Sequence, residues 1–271
     1  MDISRSEMGY LIAQRIRSRS ASLKQMWAES QPVKHFFIDD LLPEDQALAI
    51  SHHSPDPAKM ILRSSLRERK RTGINVHDYH PIIGESLFAF QQPDVIAAIA
   101  DVTGIEGLEA DPTLYASGIS MMGRGDFLNP HIDNSHDGDR LRYRLLNLLF
   151  YVSPDWRLEN GGNLELWDEK ISQPTTILSK FNRLVVMLTS QRSWHSVNKV
   201  TADALRLCVS NYYFSVKPAS AAAYLNVTTF AGRPGEVLKR PLLKLDAKVL
   251  NALGKTFPQL TKLTRHRLRT P

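Results

Sequence analysis

The sequence predicts a mainly β core, a sandwich or a barrel, supported by α-helices on both sides. Three observations predict this fold. Eight short β-rich runs follow one another between residues 113 and 216, separated by Gly, Pro, Asn and Asp, which is typical of sandwiches and barrels. The segments before residue 112 are largely helical in pattern. Residues 241–255 repeat leucine and valine at helical spacing, so helical segments flank the β-rich region.

Residues 1–112 are predicted to support the core. Their predicted elements are an amphipathic helix over 1–30, a strand over 34–40, a helix that starts at Pro43-Glu44, and helices over 81–103 that end at Gly104. Residues 60–77 are rich in Arg and Lys and end in TGINV, which predicts a polar loop that leads into a strand.

The eight β-rich runs define the core. In order they cover residues 113–122, 129–133, 144–153, 162–168, 175–180, 183–189, 193–200 and 205–216. No internal repeat or low-complexity tract interrupts them. We therefore expect a single domain over 1–271, with support in 1–112, the core in 113–216 and a basic C-terminal extension in 217–271.

Composition and charge limit the function classes. Cys208 is the only cysteine, which excludes an intramolecular disulfide and fits a reducing compartment. No apolar run is long enough to span a bilayer, and the first residues lack the apolar core of a signal peptide, so we expect a cytoplasmic protein. The net charge is +6, but residues 216–271 hold eleven Lys and Arg against two acids. The basic character therefore belongs to the C-terminal extension.

Three residues have the chemistry of a mononuclear iron site. His131 and Asp133 are two positions apart in a β-rich run, so their side chains point the same way. His195 opens a later run and provides a second imidazole. Two neutral imidazoles and one carboxylate on one face leave open positions on an iron that activates oxygen.

Arg206 follows His195 within an apolar run. A buried arginine needs an anion, and its planar guanidinium suits a carboxylate. The anion is either an acid of the core or a bound carboxylate, and the sequence leaves both alternatives open.

Several motifs in order resemble the Fe(II)/2-oxoglutarate dioxygenases, and among them the prolyl 4-hydroxylase-like branch. The resemblance covers roughly residues 114–216. It lies in the Gly-rich approach to His131 (GRGDFLNPHIDNS), in the strand, Asp-Trp turn and paired glycines that follow (LLNLLFYVSPDW, then GGNLELWD), and in the strand that leads to His195 (KFNRLVVMLTSQRSWHSV).

This resemblance implies a double-stranded β-helix, a jelly-roll or cupin-like core, with Fe(II) bound by His131, Asp133 and His195. It also implies that Arg206 pairs with the distal carboxylate of 2-oxoglutarate. Tyr151 is expected at the same carboxylate, and Asn147 shares its strand face. Met121-Met122 stand where many relatives have a tyrosine, which leaves one cosubstrate contact open. Whether ascorbate is also required is open too.

The activity implied by the resemblance is hydroxylation of an unactivated C–H bond by O2, with 2-oxoglutarate converted to succinate and CO2. The carboxylate of Asp133 favours hydroxylation over halogenation. The expected substrate is a small molecule or an amino-acid side chain, prolyl included. A lipid-linked or glycan substrate at the membrane surface and a non-catalytic cupin-like binding module are the alternatives.

Segments 134–144 and 60–80 are expected to contact the substrate. Arg140, Arg142 and Arg144 would suit an anionic substrate, or they belong to a solvated polar loop. Residues 232–271 either pack on the barrel or contact an anionic membrane. They lack aromatic residues for base stacking apart from Phe257, so no nucleic-acid partner is expected. The oligomeric state is left open.

Overall fold

The structure, a computed structural model, describes residues 3–219, 223–236 and 239–243. These residues form five α-helices and thirteen β-strands. The helices are α1 Arg5–Ser18, α2 Ser20–Glu29, α3 Glu44–His52, α4 Pro81–Ala89 and α5 Pro93–Thr103. The strands are β1 His35–Ile38, β2 Ile61–Ser64, β3 Glu68–Gly73, β4 Glu109–Ala110, β5 Gly118–Met122, β6 Phe127–Ile132, β7 Tyr143–Tyr151, β8 Leu164–Trp167, β9 Pro174–Ile177, β10 Arg183–Leu188, β11 His195–Val197, β12 Arg206–Ser215 and β13 Thr229–Phe230.

The strands join one curled antiparallel sheet. Its order is β1-β10-β7-β12-β5-β3-β6-β11-β8-β9, with β2 added to β3, β4 to β12 and β13 to β6. The curl brings β6 and β11 opposite β7 and β12 across an interior cavity. All eight runs predicted between 113 and 216 are strands, β5 to β12, and the predicted double-stranded β-helix with flanking helices is confirmed.

Successive side chains of β7 point alternately to the hydrophobic core and to the cavity. Leu146, Leu148 and Phe150 join the large core that the helices α1, α4 and α5 form against the sheet. Asn147 and Leu149 point to the opposite face and line the cavity. The helical layer therefore stabilises the sheet from outside, and the interior face of the sheet lines the cavity.

Two predictions in the support region are wrong in detail. The single helix expected over 1–30 is interrupted at Arg19, whose backbone is not helical, and continues as α2. The polar loop expected within 60–77 is an antiparallel hairpin of β2 and β3, whereas residues 74–76 are not a strand. We call residues 61–73 the basic hairpin.

The C-terminal extension is described only in part. Most of the helix predicted over 241–255, and most of the segment 232–271 considered for membrane contact, lie outside the described residues. Among the helices in the described ranges, none is both long and apolar enough to cross a membrane.

Candidate metal and cosubstrate site

A cavity of about 490 Å³ opens between the two halves of the curled sheet. Strands β3, β6, β7, β11 and β12 all contribute side chains to its wall. His131, Asp133, His195 and Arg206 line it together, although 62 positions separate Asp133 from His195 in the sequence.

The two histidines and the aspartate converge on one point. His131 on β6 and His195 on β11 are paired across the sheet, with ring centroids 4.0 Å apart. Nε2 of His131 lies 3.5 Å from one carboxylate oxygen of Asp133, and Nε2 of His195 lies 3.7 Å from the other. One donor atom from each residue lies within 4.8 Å of the others. This donor set fits a single metal ion bound on one face.

Backbone carbonyls orient both imidazoles. Nδ1 of His131 lies 3.0 Å from the carbonyl oxygen of Asn129, and Nδ1 of His195 lies 3.0 Å from that of Ser193. An N–H at Nδ1 leaves Nε2 with a free lone pair, which is the arrangement of a metal ligand. Burial, together with the neighbouring His131, lowers the pKa of His195 to about 4. His195 is therefore a neutral imidazole at neutral pH.

Asp133 is ionised and held in position. Nδ2 of Asn147 donates to its Oδ2 at 2.7 Å, and Asn147 in turn accepts a hydrogen bond from Thr189 at 3.1 Å. Nη1 of Arg144 lies 3.5 Å from the same Oδ2. Burial opposes the charge of Asp133, but the contacts with His131, His195 and Arg144 outweigh it and hold its pKa well below the usual range.

The far end of the cavity contains the buried guanidinium of Arg206, which has no carboxylate partner among the described residues. Arg206 is 3% exposed, and its hydrogen-bond contacts are neutral: Oγ of Ser179 at 3.4 Å and Sδ of Met122 at 3.8 Å. Its guanidinium lies 4.7 Å from the ring centroid of Tyr151. Within the described ranges no carboxylate pairs with Arg206. Because a buried cation needs an anion, this end of the cavity fits a bound carboxylate.

Tyr151 adds a free hydrogen-bond donor at the same end. Its hydroxyl is buried and has no hydrogen-bond partner among the described residues. Burial raises the pKa of Tyr151 to about 12, so the hydroxyl keeps its proton at neutral pH. A buried hydroxyl without a partner is costly, and a carboxylate that pairs with Arg206 would relieve that cost.

Paired glycines make the arginine end possible. Gly161 and Gly162 both have left-handed backbones, with φ +69° and +66°. A Cβ on Gly161 would lie 2.0 Å from the carbonyl oxygen of Lys199, and one on Gly162 would lie 3.4 Å from Cγ of Arg206. Only glycines allow this turn to pack so closely beneath Arg206.

A segment beyond the last long strand covers the histidines. We call residues 223–233 the strap. Its strand β13 pairs with β6, and the ring of Phe230 stacks on His131 at 5.2 Å between centroids and 17° between planes. Asn226 donates from its amide to the carbonyl oxygen of Asp133 at 2.8 Å. The strap therefore contacts the side chain of one candidate ligand and the backbone of another.

The end of the strap is tied behind His195. Nη1 of Arg233 lies 2.6 Å from Oε2 of Glu165, and Nη2 donates to Oγ of Ser196 at 3.2 Å. Ser196 directly follows His195, and its hydroxyl donates to Glu165 at 2.6 Å. The strap thus joins the strand of His131 to the strand of His195.

Residues 117–214, which include all six predicted site residues, match the family model of the 2OG-Fe(II) oxygenase superfamily. This segment of the chain resembles the 2OG-Fe(II) oxygenases. The expected cofactors, Fe(II) and 2-oxoglutarate, are those in the name of this family, and the match supports an enzyme rather than a cupin-like binding module. The predicted resemblance to the prolyl 4-hydroxylase-like branch agrees with the similar proteins described next.

Known proteins similar to this chain include prolyl hydroxylases. The prolyl 3-hydroxylase OGFOD1 of Mus musculus is 28% identical over 116 residues, which cover 41% of this chain and 20% of that protein. The match thus spans about a fifth of the mouse protein. A Pseudomonas putida prolyl-4-hydroxylase has the same fold, with a TM-score of 0.53 and 19% identity over 71% of this chain and 98% of that one.

A third relative was solved with a peptide. The Trichoplax adhaerens prolyl hydroxylase in complex with a hypoxia inducible factor peptide fragment has a TM-score of 0.51 and 17% identity, over 74% of this chain and 93% of that one.

The structure places the six predicted site residues around one cavity. His131, Asp133 and His195 converge, and Arg206 and Tyr151 contact each other. Asn147 bonds to Asp133, while its expected contact with the cosubstrate stays a prediction. Of the three loop arginines, only Arg144 lines the main cavity, because Arg142 is paired with Asp137 at 2.8 Å.

Residues that the sequence did not indicate are Ser179 and the strap. Ser179 contacts Arg206 from the loop after β9, and no motif marks it. The strap has a single two-residue strand and no periodic pattern. Its two aromatic residues at the edge of a basic segment, Tyr224 and Phe230, were the only available signal.

Proposed function

We propose that His131, Asp133 and His195 bind Fe(II), and that Arg206 with Tyr151 binds the distal carboxylate of 2-oxoglutarate. The observation that supports this proposal is a single cavity that contains two different kinds of binding group. Three donors converge at one end, and a buried guanidinium without an acid lies toward the other. A metal ion satisfies the first end and a dicarboxylate satisfies the second.

The proposed reaction hydroxylates an aliphatic C–H bond of the substrate. One oxygen atom of O2 enters the substrate as the hydroxyl, and the other enters succinate when 2-oxoglutarate loses CO2. Bound iron supplies the oxygen activation, which protein side chains cannot provide.

The chain itself positions the ion and the cosubstrate, and it excludes water from them. Nε2 atoms of the two histidines are preset by carbonyls, so little reorganisation is needed when the ion binds. Arg206 and Tyr151 orient the cosubstrate by a charge-assisted contact in a buried environment. Asn147 keeps one oxygen of Asp133 engaged, which leaves Oδ1 as its free ligand atom.

The substrate proposed first is an amino-acid side chain of a polypeptide, with prolyl as the leading candidate. The sequence similarity to a prolyl 3-hydroxylase supports it, as does the fold shared with prolyl hydroxylases.

The test is succinate formation from 2-oxoglutarate under Fe(II) and O2, with and without proline-containing peptides. We expect slow succinate formation alone and faster formation with an accepted peptide, together with a mass gain of one oxygen on the peptide. Absence of succinate with iron-loaded, folded protein would contradict the proposed reaction. Succinate without any oxidised peptide would contradict only the proposed substrate.

A further inference from the structure

The outer face of β8 and β11 holds a buried carboxylate that lies behind the metal site. Glu165 on β8 is 6% exposed and is paired across the two strands with Ser196, the residue that follows His195. Oγ of Ser196 donates to Oε2 of Glu165 at 2.6 Å and accepts a hydrogen bond from Nε1 of Trp167 at 2.8 Å. Nη1 of Arg233, in the strap, lies 2.6 Å from the same Oε2. Because a buried carboxylate is costly without a cation, the strand of His195 depends on the strap.

The end of the strap crosses from the edge of the sheet to this outer face. Beyond β13, the N–H of Ala231 donates to a backbone carbonyl of β6 at 2.8 Å, and Ala231 packs in the hydrophobic cluster of Trp167 on β8. Val197 lines the cavity, so the neighbouring Ser196 points outward, where Nη2 of Arg233 donates to its Oγ at 3.2 Å. The same Nη2 donates to the carbonyl oxygen of Val197 at 3.1 Å. The strap is thus fastened across β6, β11 and β8.

The other end of the strap lies on the cavity side of the same strands. The ring of Phe230 stacks on His131, and Phe230 lines the cavity. His131 and His195 are direct partners in the pairing of β6 with β11, so the separation of their Nε2 atoms follows the positions of the two strands. The strap therefore holds both imidazoles, one by stacking and the other from behind through Arg233.

Between these two ends the strap is only partly buried. Residues 224–229 are half-buried, and β13 is two residues long. Segments with few buried contacts open locally at a low cost in free energy. We call the strap seated when both of its ends are in contact with the barrel. Its seated position depends on those end contacts, and one of them is the ring of a candidate metal ligand.

We infer that Glu165 and Arg233 are positioning residues that keep the strap seated and thereby hold His195 in place for the metal ion. This role rests on the proposed function, because it needs a metal ion bound between the two histidines. Glu165 and Arg233 act on His195 through Ser196, the next residue of its strand. Strap seating and metal binding then form one linked equilibrium. The factor by which a seated strap raises metal affinity is also the factor by which bound metal favours the seated strap.

The seated strap also forms part of the cavity wall. Val227, Thr228 and Phe230 line the cavity. The linked equilibrium therefore means that a bound metal ion holds this part of the wall in place before a substrate enters. An ion pair that served stability alone would leave metal affinity independent of the strap, and this difference can be measured.

The first test compares the Mn(II) affinity of the full chain and its variants by isothermal titration calorimetry. Arg233→Gln leaves the carboxylate of Glu165 buried without its cation, and we expect Mn(II) affinity to fall about 10-fold, the lower end of the losses usual when a residue behind a metal ligand is changed. Arg233→Lys keeps the charge and should stay within about 2-fold. The matched control Arg124→Gln removes an exposed cation paired with Asp203 and should also stay within about 2-fold. Mn(II) affinity of Arg233→Gln within about 2-fold of the original protein would overturn the inference.

The second test needs no variant, so it remains decisive if Arg233→Gln does not fold. Hydrogen exchange of the full chain, read by mass spectrometry, is compared without metal and with saturating Mn(II). We expect protection of the strap, residues 223–233, to rise at least about 5-fold, because bound metal favours the seated strap. Protection of α3, which lies in the support region, should rise less than about 2-fold. Equal rises in the two segments would indicate general stabilisation and would overturn the linked equilibrium.

The two tests separate this role from general stability and from the proposed function. Urea titrations report the free energy of unfolding of each variant, and a variant that is merely less stable keeps the Mn(II) affinity of the original protein while it is folded. Absence of Mn(II) binding by the original protein would contradict the proposed metal site itself. Normal Mn(II) binding by both the original protein and Arg233→Gln would contradict only the positioning role.

Discussion

The metal and cosubstrate site is built by two regions that differ in kind. The barrel segment 117–214, which matches the family model, supplies every candidate ligand together with Arg206. The strap, residues 223–233, lies beyond that segment and contacts His131 and Asp133 from outside through Phe230 and Asn226. The barrel thus holds all the groups proposed to bind the metal and the cosubstrate. Part of the rigidity of the site comes from the strap, a segment without a recognisable motif.

The largest expected effect is loss of a ligand within the barrel. Asp133→Asn removes the only carboxylate of the three donors, and we expect affinity for Mn(II) to fall by at least about 100-fold, which exceeds the usual effect of changing a residue behind a ligand. Isothermal titration calorimetry measures this directly, and succinate formation should be lost as well. Asp203→Asn, which changes an exposed acid paired with Arg124, is the matched control. Normal metal binding by Asp133→Asn would refute the ligand assignment.

A second change in the barrel should affect binding of the cosubstrate but not binding of the metal. Arg206→Lys keeps the charge but removes the planar pair of donors. We expect the KM for 2-oxoglutarate to rise about 10-fold or more, since hydrogen bonds to charged groups contribute roughly 1.5–3 kcal/mol. Affinity for Mn(II) should stay within about 2-fold of the original protein. A fall in metal affinity without a change in KM would contradict the assignment of Arg206.

The contrast between the two regions also explains what could be predicted from the sequence. Strands β5 to β12 are short runs rich in β-forming residues and are separated by turn residues, so local patterns identify them. The basic hairpin has charged residues on both faces, because one face lines a polar cavity and the other pairs with Asp126. No apolar alternation exists there, and most of its two strands lies in the part that was predicted as a polar loop before a strand.

Some of the site residues could likewise be predicted from the sequence and others could not. His131, Asp133, His195 and Arg206 could be predicted because their residue types and order carry chemistry. The burial of Arg144 could not, because it depends on stacking against Tyr212, at 4.0 Å from the ring centroid, on a distant strand. The strap was missed because its effect arises from contacts with β6 and β11, and its own sequence has no periodicity.

A smaller effect is expected from the strap. Phe230→Leu keeps an apolar side chain but removes the ring stacked on His131, and we expect affinity for Mn(II) to fall up to about 10-fold, as for residues that orient a ligand. The KM for 2-oxoglutarate should change little, because Arg206 is at the other end. A fall in metal affinity with an unchanged KM would distinguish this positioning role from general destabilisation. Tryptophan or tyrosine at position 230 should restore the stack and the affinity.

The smallest effect should come from an ion pair of the barrel far from the cavity. Asp39 accepts hydrogen bonds from Lys180 and from Nη2 of Arg183, both at 2.9 Å, next to the pairing of β1 with β10. Burial opposes the charge of Asp39, but these cations outweigh it and lower its pKa. Because the folded state has the lower pKa, the stabilisation is present above the unfolded pKa of about 3.9 and is lost as the pH falls through the folded value.

We therefore expect Asp39→Asn to lower the free energy of unfolding by less than about 1 kcal/mol at neutral pH, since the pair is partly exposed. Urea titrations at neutral pH and at about pH 3 measure the difference, which should shrink at the acidic value. Affinity for Mn(II) should be unchanged. If Asp39→Asn weakened metal binding as much as Phe230→Leu does, the effect of the strap would reduce to stability, and the distinction between the two regions would disappear.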